Sequence, residues 1–498
     1  MSKCADYISD SKISEEQDIT HVVMKRFAQA AIAGLLTFMV MGCNVGPNYK
    51  RPTATTPQNF RGALAPEIAP PAQAEPSLGD QQWPTVFQDA VLQRLVTEAL
   101  QNNLDLRIAA QRVLEAQAQV GIARSQQLPS VSAGASYSAI QIPSSLAGNN
   151  SNGTPATSFF NGGGFSASAA WNLDFWGMYR RQSEAARAEL LASQWAQRAT
   201  RTSLVQQVAQ AYFQLRSLDA QLEITKSTIK ARQDSLQLTQ TLEKYGAGSL
   251  ADTRQAEELL HTAQANLPEF RRQIATQENI ISILLGHNPE DIDRGLNIAD
   301  QPHPKEVPTG VPSQLLERRP DIQQAEATLI AANARIGVAK SQFFPQISLT
   351  SLGGSTSNQL QSIFSGKNAY WLAAGSLSEP IFDGGRIRSN YHLSQAQEQE
   401  MLLEYRKTIL NALKDVSNSL SAYKETREQR EEETALVVSA TDAVRLAKLR
   451  YSGGNTSYLE VLTTDTDLYD AQLRLAQAQE QEAASLVQLY AALGGGWQ

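Results

Sequence analysis

Residues 178–245, MYRRQSEAARAELLASQWAQRATRTSLVQQVAQAYFQLRSLDAQLEITKSTIKARQDSLQLTQTLEKY, run for 68 positions without a glycine or a proline, and residues 386–452 do the same for 67. At about 1.5 Å of rise per residue, each would make a continuous helix about 100 Å long. A compact soluble domain has no room for such an element. Both runs are rich in Ala, Gln, Glu, Arg and Leu, and apolar residues recur at coiled-coil spacing, as in Leu204, Val208, Ala211, Leu215, Leu218 and Leu222. The spacing predicts that the long helices pack along one another over their full length.

Each run ends on a turn signal. Lys244-Tyr245-Gly246-Ala247-Gly248 closes the first and Arg450-Tyr451-Ser452-Gly453-Gly454 the second, so Tyr245 and Tyr451 mark hairpin tips, and Gly248 and Gly454 supply the left-handed geometry of a helix C-cap. The chain then returns through Ser249 to Leu285, with Pro268 expected to kink the helix, and through Asn455 to Leu493. The tips match at an offset of 206 (451 − 245). Gly121 to Pro129 matches Gly337 to Pro345 at an offset of 216 (345 − 129). Two copies of one module of about 210 residues follow, with expected bounds 85–310 and 311–498.

Within each copy the order is a helix, a proline, a short strand, a Gly/Ser/Asn-rich loop, a second strand and then the long helix. The loops are read as Pro143 to Gly164 and Gly353 to Gly366. In the strand after the first loop, Phe165, Ala167, Ala169, Trp171, Leu173 and Phe175 share one face, while Ser166, Ser168, Asn172 and Asp174 share the other. Val131 to Ile140, Ile347 to Leu352 and Tyr370 to Leu377 alternate more weakly, as barrel strands do.

At the N-terminus, Met24-Lys25-Arg26 precedes an apolar run from Phe27 to Met41, the form of a secretory signal too short to span hydrocarbon. Val40-Met41-Gly42-Cys43 resembles a lipobox, so Cys43 is expected to be acylated and to become the mature N-terminus, after a leader of residues 1–42. Translation starting at Met1 or at Met24 is compatible with this. From Pro47 to Pro84, 8 prolines in 38 residues read as an extended tether, residues 43–84, with little that could pack.

Outside the leader there is no apolar run of 18 residues, so a mature chain that crosses a membrane does so as a closed β-barrel. Four strands cannot close one. Two copies would supply eight strands and three copies twelve, so oligomerisation follows, and the attached helices would continue the barrel as a tube. The alternative is a periplasmic coiled-coil structural or adaptor protein carrying an ordinary β-domain.

The order of four motifs adds a family resemblance over nearly all of the mature chain. Cys43 to Pro52 (CNVGPNYKRP), Leu173 to Gly177 (LDFWG), Leu315 to Ile322 (LLERRPDI) and Pro380 to Arg386 (PIFDGGR) make the sequence similar to TolC-type outer membrane factors, specifically the NodT-like lipoproteins of RND efflux systems. The resemblance implies a homotrimer with a twelve-strand barrel and an α-helical periplasmic tunnel, lipid-anchored in the outer membrane of a Gram-negative bacterium. It also implies partners: a periplasmic adaptor and an inner-membrane RND-type pump. The hairpin tips would then be the periplasmic end, with Leu459 and Glu460 lining an aperture and Asp465 a second candidate acid, although Glu460 and Asp465 equally suit the first turns of a helix. Asp252, the counterpart of Glu460, reads as a helix N-cap.

Other classes have little support. The net charge is −7, from 43 basic and 50 acidic residues, with no basic block for nucleic acid. Two cysteines and 5 scattered histidines suggest no metal centre or cofactor. HExxH, GxSxG and P-loop motifs are missing, so no enzyme is expected. Arg318-Arg319-Pro320-Asp321 reads as a helix start. Trp171, Phe175, Trp176, Tyr370 and Trp371 suit an aromatic girdle, and Phe343 and Phe344 suit a girdle or a packed junction.

Overall fold

The computed structural model describes residues 44–53, 57, 60–61, 77–142, 158–302, 304, 307–308 and 312–497. Cys43, the leader and most of the first inter-strand loop lie outside them. Numbering helices of more than ten residues, the order is α1 (Ala90–Asn102), α2 (Leu104–Ser125), β1 (Ser130–Ile142), β2 (Ser158–Leu173), α3 (Met178–Lys244), α4 (Leu250–Leu285), α5 (Pro320–Ser341), β3 (Gln346–Ser357), β4 (Ala369–Ser378), α6 (Arg386–Ser452) and α7 (Tyr458–Ala492). The two unbroken runs are thus single helices of 67 residues each. Pro268 lies inside α4 without ending it. Among the described residues no helix is long and apolar enough to cross a membrane.

The chain forms two compact units, and they are not the two sequence repeats. Of the described residues, one gathers those within 44–50, 117–188 and 330–400; the other gathers those within 51–116, 189–329 and 401–497. Each unit therefore takes matching pieces from both copies of the module.

The first unit is built on a four-stranded antiparallel sheet in the order β1-β2-β3-β4. Its registers place Val131, Ala133, Phe165, Trp171, Leu349, Trp371 and Leu377 on one face, and Ser132, Ser136, Ser168, Asn172, Ser348, Thr350 and Ser376 on the other. Hydroxyls pair across strands on the polar face, Ser132 with Ser168 and Ser348 with Ser376, each at 2.7 Å. Two strands reach into the stretches read as loop: β2 begins at Ser158 and β3 continues to Ser357. Glycine is depleted in strands, so Gly162 to Gly164 and Gly353 to Gly354 carry a loop signal in the sequence. At Gly164 and Gly354, on the polar face, a Cβ would stand 2.8 Å from the Ser355 carbonyl and 2.3 Å from the Phe165 carbonyl, so glycine is what lets the neighbouring strand approach so closely there.

Residues 44–50 do not trail free. The buried Arg181 donates to Asn48 Oδ1 at 2.8 Å and to the carbonyls of Val45 and Gly46 at 3.4 Å, and Val45 N–H donates to the Trp176 carbonyl at 3.2 Å. Gly46 has φ of 113°, and a Cβ there would meet Gly337 Cα at 2.5 Å. In the other unit, Arg51 pairs with Glu326, and Phe60, Leu78 and Trp83 are buried in the main core. The reading of 43–84 as a stretch with little to pack is corrected at these points.

The helical unit buries the expected seam, Leu204, Val208, Ala211, Leu215 and Leu218, against Leu92, Val96, Ile281, Leu285, Leu486 and Leu489. Beside this core sits a buried acid with many partners. Asp89 caps α1 through the N–H groups of Val91 and Leu92, and also accepts from Tyr212 Oη at 2.9 Å, Leu296 N–H at 2.8 Å and Gln301 Nε2 at 3.0 Å. Burial pushes the Asp89 carboxyl up, but these donors outweigh it and hold the group below the usual carboxylate value. Tyr212, buried and bonded to that carboxylate, is pushed well above the usual phenol value. The hub ties α1, α3 and the segment after α4 to one carboxylate.

Candidate functional site

Each hairpin tip is a helix end, a left-handed glycine and a new helix start. In the first, Gly246 (φ 74°) turns the chain, with Ala247 N–H donating to the Leu242 carbonyl at 2.8 Å; in the second, Gly454 (φ 72°) does so, with Asn455 N–H donating to Arg450 at 2.9 Å. These six-to-one bonds are Schellman closures. The capping glycine of the first tip is therefore Gly246 and not Gly248. The structural offset between tips is 208 (454 − 246), because helix termination aligns them where residue identity had aligned Tyr245 with Tyr451. Tyr245 lies beyond its helix and is exposed; Tyr451 lies inside α6, stacks edge-on against Tyr458 at 5.3 Å and reaches Asp252 at 3.5 Å.

Asp252 is not the N-cap of α4. Ser249 is, and Asp252 answers it as the third residue of a capping box, at 3.2 Å and 3.4 Å. The equivalent residue of α7, in the same first-turn position, is Glu460. Instead of facing its own N-cap, Glu460 reaches Arg450 at 2.8 Å and also accepts from Thr456. The pair joins the end of α6 to the start of α7 across the turn, and it is partly exposed. Leu459, next to it, is 58% exposed.

Asp465 behaves otherwise. It is buried, and its Oδ2 accepts from Arg232 Nε at 2.8 Å, while Arg232 Nη1 donates to the Leu259 carbonyl at 2.7 Å and its guanidinium stands 5.2 Å from the ring centre of Tyr469. In this arrangement Asp465 is a structural tie between α3, α4 and α7, so Glu460 is left as the acid of the pair that meets solvent. Arg232 and Arg450 were missed in the sequence because each partner lies on another helix; only a cation breaking an apolar seam could have flagged Arg232. Just inside the tip, Tyr458, Val461, Ala256 and Ala447 form a small core with Leu236 and Tyr451.

The remaining singled-out residues are structural. Pro320 opens α5, and Arg319 is neutralised by Asp321 at 2.6 Å and Asp415 at 3.4 Å. Trp176 stacks on Phe344 at 4.8 Å and donates to the Pro345 carbonyl at 2.8 Å, and Phe343 meets Tyr391 edge-on at 5.8 Å, which makes both phenylalanines packing residues at the base of the sheet. Trp371 is 82% exposed on the apolar face. Among the described residues no group of three or more His, Cys, Asp or Glu side chains could hold a metal.

A sheet with open edges, one polar face and two long helical hairpins has close counterparts. A family model described as outer membrane efflux protein matches the chain twice, over residues 95–287 and 311–495. The chain is 35% identical over 464 residues to a protein named probable efflux pump outer membrane protein TtgC of Pseudomonas putida, covering 92% of this chain and 94% of that one. It is 32% identical over 457 residues to the cation efflux system protein CusC of Escherichia coli, covering 92% and 96%. Among solved structures it is similar to a CusC structure with a TM-score of 0.80 at 30% identity, over 91% of this chain and all of that one. It is also similar to the open state of the MtrE outer membrane channel of Neisseria gonorrhoeae, with a TM-score of 0.80 at 28% identity, over 92% and 99%.

Proposed function

The chain belongs to the outer membrane efflux protein family, and from this premise we propose that three copies join their sheets into one twelve-strand barrel, through which exported small molecules or ions leave the cell. It is the outer-membrane channel subunit of a tripartite efflux system. One observation carries the assembly. The sheet has two open edges, β1 and β4, and one apolar face, and in hydrocarbon every ladder donor and acceptor must be paired. The relatives are channels rather than enzymes, and the duct requires no chemistry of its own residues: a polar inner face of serines and threonines lets solutes pass without binding them.

The finer assignments follow from this reading. Cys43 carries the acyl anchor and outer-membrane lipid surrounds the barrel. The tips around Tyr245, Gly248, Tyr451 and Gly454 dock a periplasmic adaptor, which links them to an inner-membrane RND-type pump. Leu459 and Glu460 line the aperture, where three symmetric Glu460–Arg450 pairs set the field that passing ions meet. The test is fractionation followed by native mass measurement: a detergent-stable trimer in the outer membrane, with an acylated Cys43 as its first residue, is the expected result. A soluble periplasmic monomer or dimer would restore the coiled-coil adaptor reading, and an unmodified Cys43 inside a longer chain would remove the anchor alone.

The aperture is tested separately. Glu460→Ala removes a partly exposed ion pair of the kind worth about 0.2–1 kcal/mol, so trimer yield and melting should stay close to wild type. Conductance, cation selectivity and block by divalent cations in planar bilayers should all change, because one charge is lost from each of three symmetric positions. Identical bilayer records in variant and wild type would reduce Glu460 to a surface residue that pairs with Arg450 and nothing more.

A further inference from the structure

On the apolar face of the sheet, at the loop end of β3 and β4, the lining shrinks to very small residues. Ala133 and Ala135 of β1, Ala167 of β2 and Gly353 of β3 lie side by side in the register, where neighbouring positions of the same face hold Tyr137, Phe165, Trp171 and Trp371. The loop between β3 and β4 then folds back over this face. Ser355 Oγ donates to the Ile363 carbonyl, burying Ile363, and the Phe364 ring lies 5.4 Å from that of Phe165 yet is 83% exposed. Together they line an open apolar recess of about 740 Å³, within the roughly 300–1,000 Å³ of ligand pockets.

What would fill it follows from where it sits, and this step rests on the barrel reading above. In a membrane barrel the apolar face of each strand meets lipid, so the face with the recess looks out into hydrocarbon. The acyl anchor proposed at Cys43 assigns its leaflet: a Cβ on Gly177, just after β2, would meet Asn44 Oδ1 at 2.4 Å, so the residue following Cys43 packs at the helix end of the strands. The loop end is the opposite one. Strands of 12 and 10 residues match one crossing, and their loop lies at the outer headgroup level. The outer leaflet of a Gram-negative outer membrane is made of phosphorylated, multiply acylated glycolipid. The loop meets it with Lys367, while residues 358–368 contain no acid and no carboxylate among the described residues pairs with that ammonium.

We propose that this recess seats one acyl chain of the outer-leaflet glycolipid, with Ile363 and Phe364 clasping the chain and Lys367 meeting the lipid phosphate. Phe364, exposed to water in no other role, is then the side chain that the lipid covers. The pocket is a feature of each copy, so a trimer holds three glycolipids.

The experiment uses the full-length trimer extracted from outer membranes, delipidated, and titrated with purified lipid A in native mass spectrometry. Wild type should carry up to three lipid A molecules per trimer. Filling the recess by Ala167→Leu with Gly353→Leu should cut occupancy at least ten-fold, and the loop variants Phe364→Ala and Lys367→Glu, which leave the strands untouched, should each cut it several-fold while the trimer stays intact. A wild-type trimer that binds no lipid A, that binds phosphatidylethanolamine equally well, or whose loop variants bind as wild type would overturn the proposal. A chain that yields no outer-membrane trimer would overturn the channel reading first and this one with it.

Discussion

Asp89→Ala should reduce the yield of folded trimer more than any substitution at the tips. The carboxylate is buried and takes bonds from the N–H groups of Val91, Leu92 and Leu296, from Tyr212 and from Gln301. Removing it leaves several buried donors unpaired, each costing about 1–3 kcal/mol, so a total loss of about 4 kcal/mol or more is expected. Tyr212 would keep only its bond from Gly295 N–H. Asp89→Asn, which keeps one acceptor oxygen, should lose less. The pH dependence has a definite sign. Because the folded carboxyl is held below its usual value, its contribution is fully present above the unfolded pKa, about 3.9, and fades as pH falls through the lower folded value. Melting of the detergent-solubilised trimer between pH 7 and pH 3 checks this: wild type should lose stability toward acid and Asp89→Asn should lose measurably less. Equal melting of wild type and Asp89→Ala would show that the hub carries no load.

Proline in β4 should break the assembly itself. Consecutive N–H groups of a strand point to opposite edges, so of Ala373 and Ala374 one donates toward β3 and the other toward the open edge. Ala373→Pro and Ala374→Pro each delete one donor. At the inner position the chain's own sheet is damaged. At the outer position only the seam with the neighbouring copy suffers, and a carbonyl unpaired in hydrocarbon costs several kcal/mol at each of three seams. One of the two variants should therefore leave the helical unit folded while abolishing the SDS-resistant trimer band. Trimers of normal resistance from both variants would mean that the edges do not meet in a barrel.

How much of this could be read in advance depended on whether the signal was local. The ends of α6 were legible to the residue, Arg386 and Ser452, because glycines stand on both sides and nothing inside interrupts the period. Strand limits were less so, since Gly162 to Gly164 look like loop unless the close approach of a neighbouring strand is known. The tip register slipped by two because Tyr245 and Tyr451 are identical residues in non-equivalent places. Asp465 was misassigned for a related reason: its partner Arg232 lies 233 positions away. Glu460 was legible as a first-turn acid of its helix, because that position is set by a turn of a few residues. The division into units was not legible, because repeats are consecutive in the chain while the packing takes a piece of each.

That interleaving also governs when the protein can fold. The carbonyl of Gln81 accepts from Tyr490 Oη across 409 positions at 2.8 Å, and Gly79 lies so close to Leu493 that a Cβ would meet its carbonyl at 2.5 Å. The helical core is thus sealed by the last turn of the last helix. Non-local closure of this kind is slow and comes late. A chain still emerging from a translocon holds the first repeat complete yet lacks the residues that lock it, so it stays threadable until its C-terminus arrives.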